Sequence, residues 1–210
     1  MNAVAPSVDP LDALVEAIPK LHARGMAPAT SGNFSIRDGD TMWITASGQP
    51  KDRVTRAGFC HLSISDGLPE ADDTGLKPSA ETALHLAVYR RVPSAGCVLH
   101  VHADRAVLAS MLACTSDAVE LKGWELLKAL AGVTDPSASV LVPVFGNDQD
   151  IAALASRVGA SLEALDRSYA FLIRAHGMTV WGADLDAALR HLEALDAMFG
   201  YALALRGWRT

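Results

Sequence analysis

The chain has 210 residues, 50% of them hydrophobic and 20% charged, which fits one folded domain over residues 1–210 and excludes an extended disordered chain. Eighteen Lys and Arg against 24 Asp and Glu leave a scattered net charge of −6, so there is no basic footprint for a nucleic acid. Residues 1–10 carry no positive charge, no segment is apolar over bilayer length, and Cys60, Cys97 and Cys114 fall at unrelated spacings, so we expect a cytoplasmic protein with no membrane partner and no disulfide framework.

In chain order, Asp9 is placed to cap a helix with Pro10 at its first position. Leu11, Leu14, Val15, Ile18 and Leu21 form its apolar face, Pro19 predicts a bend, and Gly25 marks its end. Residues 33–37 and 41–46 flank Asp38-Gly39-Asp40 and predict a hairpin. A strand over 59–65 and a loop reaching Pro78 follow. Ser79 is placed to cap a helix running to Arg91, and residues 97–102 alternate as a strand. Helices are expected at 105–113, 124–131 and 149–162, with a short β-branched run at 140–144 between the last two. A strand pair at 169–174 and 179–181 surrounds His176-Gly177, and a long Ala- and Leu-rich helix starts at Asp184. The interleaving of helices and hairpin-like strands predicts an α/β fold with a mixed sheet covered on both faces.

Chemistry concentrates on the histidines. His100 and His102 are two apart on a predicted strand, which points both imidazoles to one side. His176 at a strand bend offers a third nitrogen, and three imidazoles form a catalytic metal centre that keeps a position open for substrate. His22, His61, His85 and His191 read as structural, although His85, one turn after Glu81, is also placed to contribute a ligand. Ser31-Gly32-Asn33 and Ser47-Gly48 bracket the hairpin and, with Ser79, offer hydroxyl, amide and backbone donors suited to a phosphate monoester; such clusters also make ordinary turns. Glu81, in the first turn of its predicted helix, and Glu125, between Trp124 and Leu126, are the candidate acid/base carboxylates; either could instead simply complement a helix dipole. Trp124, Phe34 and Met178 are candidate apolar liners.

Taken in order, Thr30-Ser31-Gly32-Asn33-Phe34-Ser35, Thr45-Ala46-Ser47-Gly48, Lys77-Pro78-Ser79-Ala80-Glu81, His100-Val101-His102-Ala103 and Arg174-Ala175-His176-Gly177 resemble the class II aldolase/adducin family over nearly the whole chain. Gly123-Trp124-Glu125-Leu126-Leu127-Lys128-Ala129-Leu130, the stretch Asn147-Asp148-Gln149-Asp150-Ile151 and Val180-Trp181-Gly182 look most like members that dehydrate a methylthio-substituted 1-phosphoketose in methionine salvage. The resemblance implies a three-layer α/β/α fold with a largely antiparallel mixed sheet and a homotetramer. It implies one Zn2+ per subunit on His100, His102 and His176, phosphate contacts from Ser31, Gly32, Asn33, Ser47, Gly48 and Ser79, and catalytic carboxylates at Glu125 and Glu81. Ala80 departs from the second serine that aldolases of the family often carry, which removes one hydroxyl from the phosphate site. The rival readings are a class II aldolase or 4-epimerase acting on fuculose, rhamnulose or ribulose phosphate, and an adducin-type interaction module, which is expected to lack the three histidines.

Overall fold

The computed structural model describes residues 9–113, 117–162 and 168–207. Cys114 lies outside them, and Cys60 and Cys97 are buried free thiols. Asp9 accepts a hydrogen bond from the Leu11 amide and caps α1 (Pro10–Ala23), whose Leu11, Leu14, Ile18 and Leu21 are buried. The helix continues past Pro19 by about one turn. The expected hairpin is β1 (Asn33–Asp38) and β2 (Thr41–Thr45), turned at Gly39-Asp40. β3 (Phe59–Ser63), α2 (Thr82–Arg91), β4 (Cys97–Val101) and α3 (Asp104–Leu112) follow. Beyond them come β5 (Ala118–Lys122), β6 (Ser139–Phe145), α4 (Ile151–Leu162), β7 (Ala170–Ile173), β8 (Gly177–Gly182) and α5 (Leu185–Gly207).

Among the described residues, the eight strands form one sheet in the order β3-β2-β1-β4-β8-β7-β6-β5. Every pairing is antiparallel except β6 with β7. Alternation along the central strands sends side chains to two separate cores. Cys97, Leu99 and Val101 of β4 join Leu172, Met178 and Val180 beneath α1, α3 and α5. Val98 joins Met42, Ile44, Phe171 and Trp181 beneath α2 and α4. The result is the expected α/β/α layering.

Three local expectations are corrected. Ser79 does not cap α2: Pro78 is still extended in a bridge to Ala46, the Ser79 carbonyl accepts from the Thr82 amide at 3.1 Å, and Glu81 takes the N-cap position. The predicted helix at 124–131 is a short 3-10 turn, Glu125–Ala129. Its Leu127 and Leu130 are buried, but five residues are too few to repay α-helix nucleation. The third correction is β5, a strand not expected from the sequence although Val119 and Leu121 alternate with exposed Glu120 and Lys122.

Candidate metal centre

β4 ends at the centre of the sheet, next to the turn between β7 and β8, and these two elements deliver the three histidines. The turn is pinned from behind. Ala175 holds a left-handed backbone at φ 53, its amide donates to Ser110 Oγ at 2.9 Å, and Arg174 reaches the Ala113 carbonyl at 3.1 Å. Gly177 is required there, because a Cβ would stand 2.3 Å from the Val101 carbonyl oxygen. Gly32 is required for a similar reason: its φ is +75, and a Cβ would meet the His100 carbonyl at 2.7 Å.

His102 Nε2 lies 3.1 Å from both His100 Nε2 and His176 Nε2. The three rings are mutually near-perpendicular, at 83°, 86° and 89°. Tetrahedral zinc with Zn–N bonds of about 2.0–2.1 Å separates its nitrogens by about 3.3 Å, so this spacing suits a shared cation. Outer partners aim the rings. His176 Nδ1 donates to Asn147 Oδ1 at 3.2 Å, and His100 Nδ1 pairs with Thr179 Oγ1 at 2.9 Å, which directs each Nε2 inward. Burial, then the neighbouring His102 and His176, draws His100 well below the ordinary imidazole range. Burial and His176 lower His102 as well. Both are therefore neutral near pH 7, the form that ligates a metal.

Glu81 completes the group, its ligand atom and those of the three histidines lying within 4.8 Å of one another. Its Oε2 is 3.3 Å from His100 Nε2 and its Oε1 is 3.2 Å from His176 Nε2. Among the described residues, Oε1 is buried without a hydrogen-bond donor. An orphaned carboxylate oxygen beside one imidazole nitrogen, in a group with two more, fits a divalent cation, and the N3O donor set suits zinc.

The three donor loops also come together. The Ser47 amide donates to the Lys77 carbonyl at 2.9 Å, which brings the Ser47-Gly48 turn beside the segment carrying Ser79. Lys51, not a candidate on sequence grounds, joins the first loop to the second: only 2% exposed, it donates to Gln49 O at 2.8 Å and Thr30 O at 3.2 Å. Burial lowers its pKa. Ser31 Oγ is buried with no partner among the described residues. The Asn33 amide is already committed elsewhere, donating to Glu81 Oε2 at 2.7 Å and facing His85 Nε2 with its Oδ1 at 2.6 Å. Thr179 and Lys51 carry no sequence signal of their own, and Asn147 stood only within a stretch of family resemblance with no role given to it, since each acts through a contact made across the sheet or between loops.

Glu125 is not brought to this group. It lies exposed on its 3-10 turn, 2.5 Å from Lys128 Nζ. His85 does not join the cluster either, and His22, His61 and His191 have other partners in Ala27, Asp72 and Trp181. Of the expected apolar liners, Phe34 and Met178 are fully buried in the core, and Trp124 packs edge-on against Tyr201.

The family model described as Class II Aldolase and Adducin N-terminal domain matches residues 12–203. A methylthioribulose-1-phosphate dehydratase of Cronobacter sakazakii is 44% identical over 190 residues, 90% of this chain and 91% of that protein. One of the same name from Methylococcus capsulatus is 44% identical over 195 residues, 92% and 93% of the two chains. Among solved structures, an L-fuculose-1-phosphate aldolase from Thermus thermophilus superposes with a TM-score of 0.72 at 26% identity, covering 94% of this chain and 95% of that one. The domain match, the relatives and the shared fold agree, and the chain belongs to the class II aldolase and adducin family.

Proposed function

We propose that the chain is a zinc-dependent hydro-lyase of methionine salvage. It converts 5-methylthioribulose 1-phosphate to 5-methylthio-2,3-dioxopentyl 1-phosphate and water. The observation that carries this reading is the convergence of His100, His102, His176 and Glu81 in a chain 44% identical to proteins bearing the dehydratase name. Zinc held by those histidines would supply Lewis-acid polarisation of the ketose carbonyl, which acidifies the adjacent carbon. The chain's own residues then have two tasks. Ser31, Gly32, Ser47, Gly48 and Ser79, with the Asn33 segment and the buried Nζ of Lys51, hold the phosphate end. A carboxylate takes the C3 proton and returns a proton to the departing C4 hydroxyl.

We assign that proton transfer to Glu125 and give Glu81 the accessory place at the metal. Glu81 sits at the cluster with one oxygen already engaged by Asn33, whereas Glu125 is exposed and, among the described residues, paired with Lys128 across its own turn. Glu125 must therefore reach substrate by movement of that turn, or from a neighbouring copy in the homotetramer we also propose. Purified protein incubated with methylthioribulose 1-phosphate should develop diketone absorbance, lose it on chelation and regain it with zinc. Release of a two- or three-carbon fragment instead of water would make the chain an aldolase. Glu125→Gln should abolish turnover with metal content intact, and undiminished turnover would move the proton transfer to Glu81.

A further inference from the structure

Behind Glu81 runs a buried line of polar side chains that the reaction above does not use. Glu81, His85 and Tyr89 are four apart along α2 and its N-terminal cap, so they share one stripe of the helix. Asn33 and Ser35 are two apart on β1 and share one face of the strand. Four helical residues rise about 6 Å and two strand residues about 6.7 Å, so the stripe and the face stay in step. Tyr89 Oη lies 2.9 Å from Ser35 Oγ, which lies 2.7 Å from His85 Nδ1. His85 Nε2 is 2.6 Å from Asn33 Oδ1, and Asn33 Nδ2 is 2.7 Å from Glu81 Oε2. Asn33, Ser35, His85 and Tyr89 are all at most 5% exposed.

The donors can be ordered by chemistry alone. An ionised carboxylate only accepts, so Asn33 turns its NH2 to Glu81 and its carbonyl to His85. That carbonyl needs a proton on His85 Nε2. Neutral His85 then accepts at Nδ1 from the Ser35 hydroxyl, which in turn accepts from Tyr89. Every bond points the same way, towards Glu81 Oε2.

We infer that His85 is a positioning residue: through Asn33 it holds Glu81 by Oε2, so that Oε1 is left free beside His176 Nε2 at the edge of the cluster. The inference rests on the metal-centre reading above. A histidine is suited to this place because it accepts on one nitrogen while donating from the other, which links a hydroxyl on one side to an amide carbonyl on the other.

The test is a titration of metal-free protein with Co2+, whose visible absorption reports ligand identity and coordination number without any substrate. Wild type, His85→Phe, His85→Gln and Glu81→Gln are compared, with circular dichroism as the check on folding. In His85→Phe the cobalt bands should move towards those of Glu81→Gln, and affinity or kcat should fall about 10–100-fold, as for other outer partners of metal ligands, with KM little changed. His85→Gln should recover part of the loss. In the Glu81→Gln background, His85→Phe should add little. A folded His85→Phe with wild-type bands overturns the inference. If His85→Phe does not fold, Ser35→Ala carries the same comparison, since it leaves His85 Nδ1 without its donor, and unchanged bands there overturn it equally. Failure of wild type to take up cobalt would defeat the metal-centre reading itself, a different outcome.

Discussion

Among single side chains, the imidazole of His85 sets an acid limit on the fold. Burial, with the nearby His100 adding to it, draws its pKa from 6.5 down to about 3. The unfolded chain takes up a proton as pH falls below 6.5 and the folded chain does not, so the stability is complete above 6.5 and is lost towards 3. About 1.5 pH units below the unfolded value, this one group costs roughly 2 kcal/mol. Urea unfolding of metal-free protein at about pH 7 and about pH 5 should show that loss, and His85→Phe should lack this part of it. His100, His102 and His191, also lowered by burial, add to the slope of both proteins with the same sign. Equal pH slopes in the two proteins would show that His85 does not titrate as its burial implies. The three cluster histidines were legible from spacing and a strand bend, because a two-residue period fixes direction. The task of His85 was not, because it depends on how α2 lies across β1, and a lone histidine on a helix gives no sign of that. The placement of Glu81 was half legible: its neighbourhood with His85 was visible, but not its position at the N-cap beside the cluster.

Where one element meets another, the position of His176 is set by how closely β8 approaches β4. Gly177 pairs with Ile173 across the turn and has no room for a side chain between Val101 O and His102 Cδ2. Gly177→Ala should push the turn off the end of β4, costing about 1–3 kcal/mol through overpacking. Calorimetry should register a lower Tm, and zinc titration should show weaker binding, because His176 is displaced relative to His102. Binding as tight as wild type would mean that the turn, and not its contact with β4, fixes the ring. Hairpins with explicit turn residues, such as Gly39-Asp40, were readable because the turn chemistry is local. The segment after Trp124 was not: Leu126, Leu127 and Leu130 have helical spacing, and only the tertiary setting shows that the chain makes five residues of 3-10 turn before returning to the sheet. β5 carried the alternating signal of a half-buried strand in Val119 and Leu121, yet its pairing with β6 depends on contacts formed across the sequence.

Across the fold in its entirety, the four ligand candidates tie together parts of the chain that are far apart in sequence. Glu81 stands at the head of α2, His100 and His102 at the end of β4, and His176 on the turn before β8. A cation shared by these groups links the outer helix layer to the middle of the sheet. Because the unfolded chain cannot present the same cluster, binding contributes to folding stability by mass action. Free zinc at about 100 times its dissociation constant stabilises the fold by about 2.7 kcal/mol, which for a chain of this length raises Tm by about 5–10 °C. Calorimetry with and without a chelator should show that difference, and His102→Ala should abolish it, since the ring between the other two is gone while the sheet remains. A Tm unmoved by metal would mean that no ion bridges these segments and that their convergence is only structural.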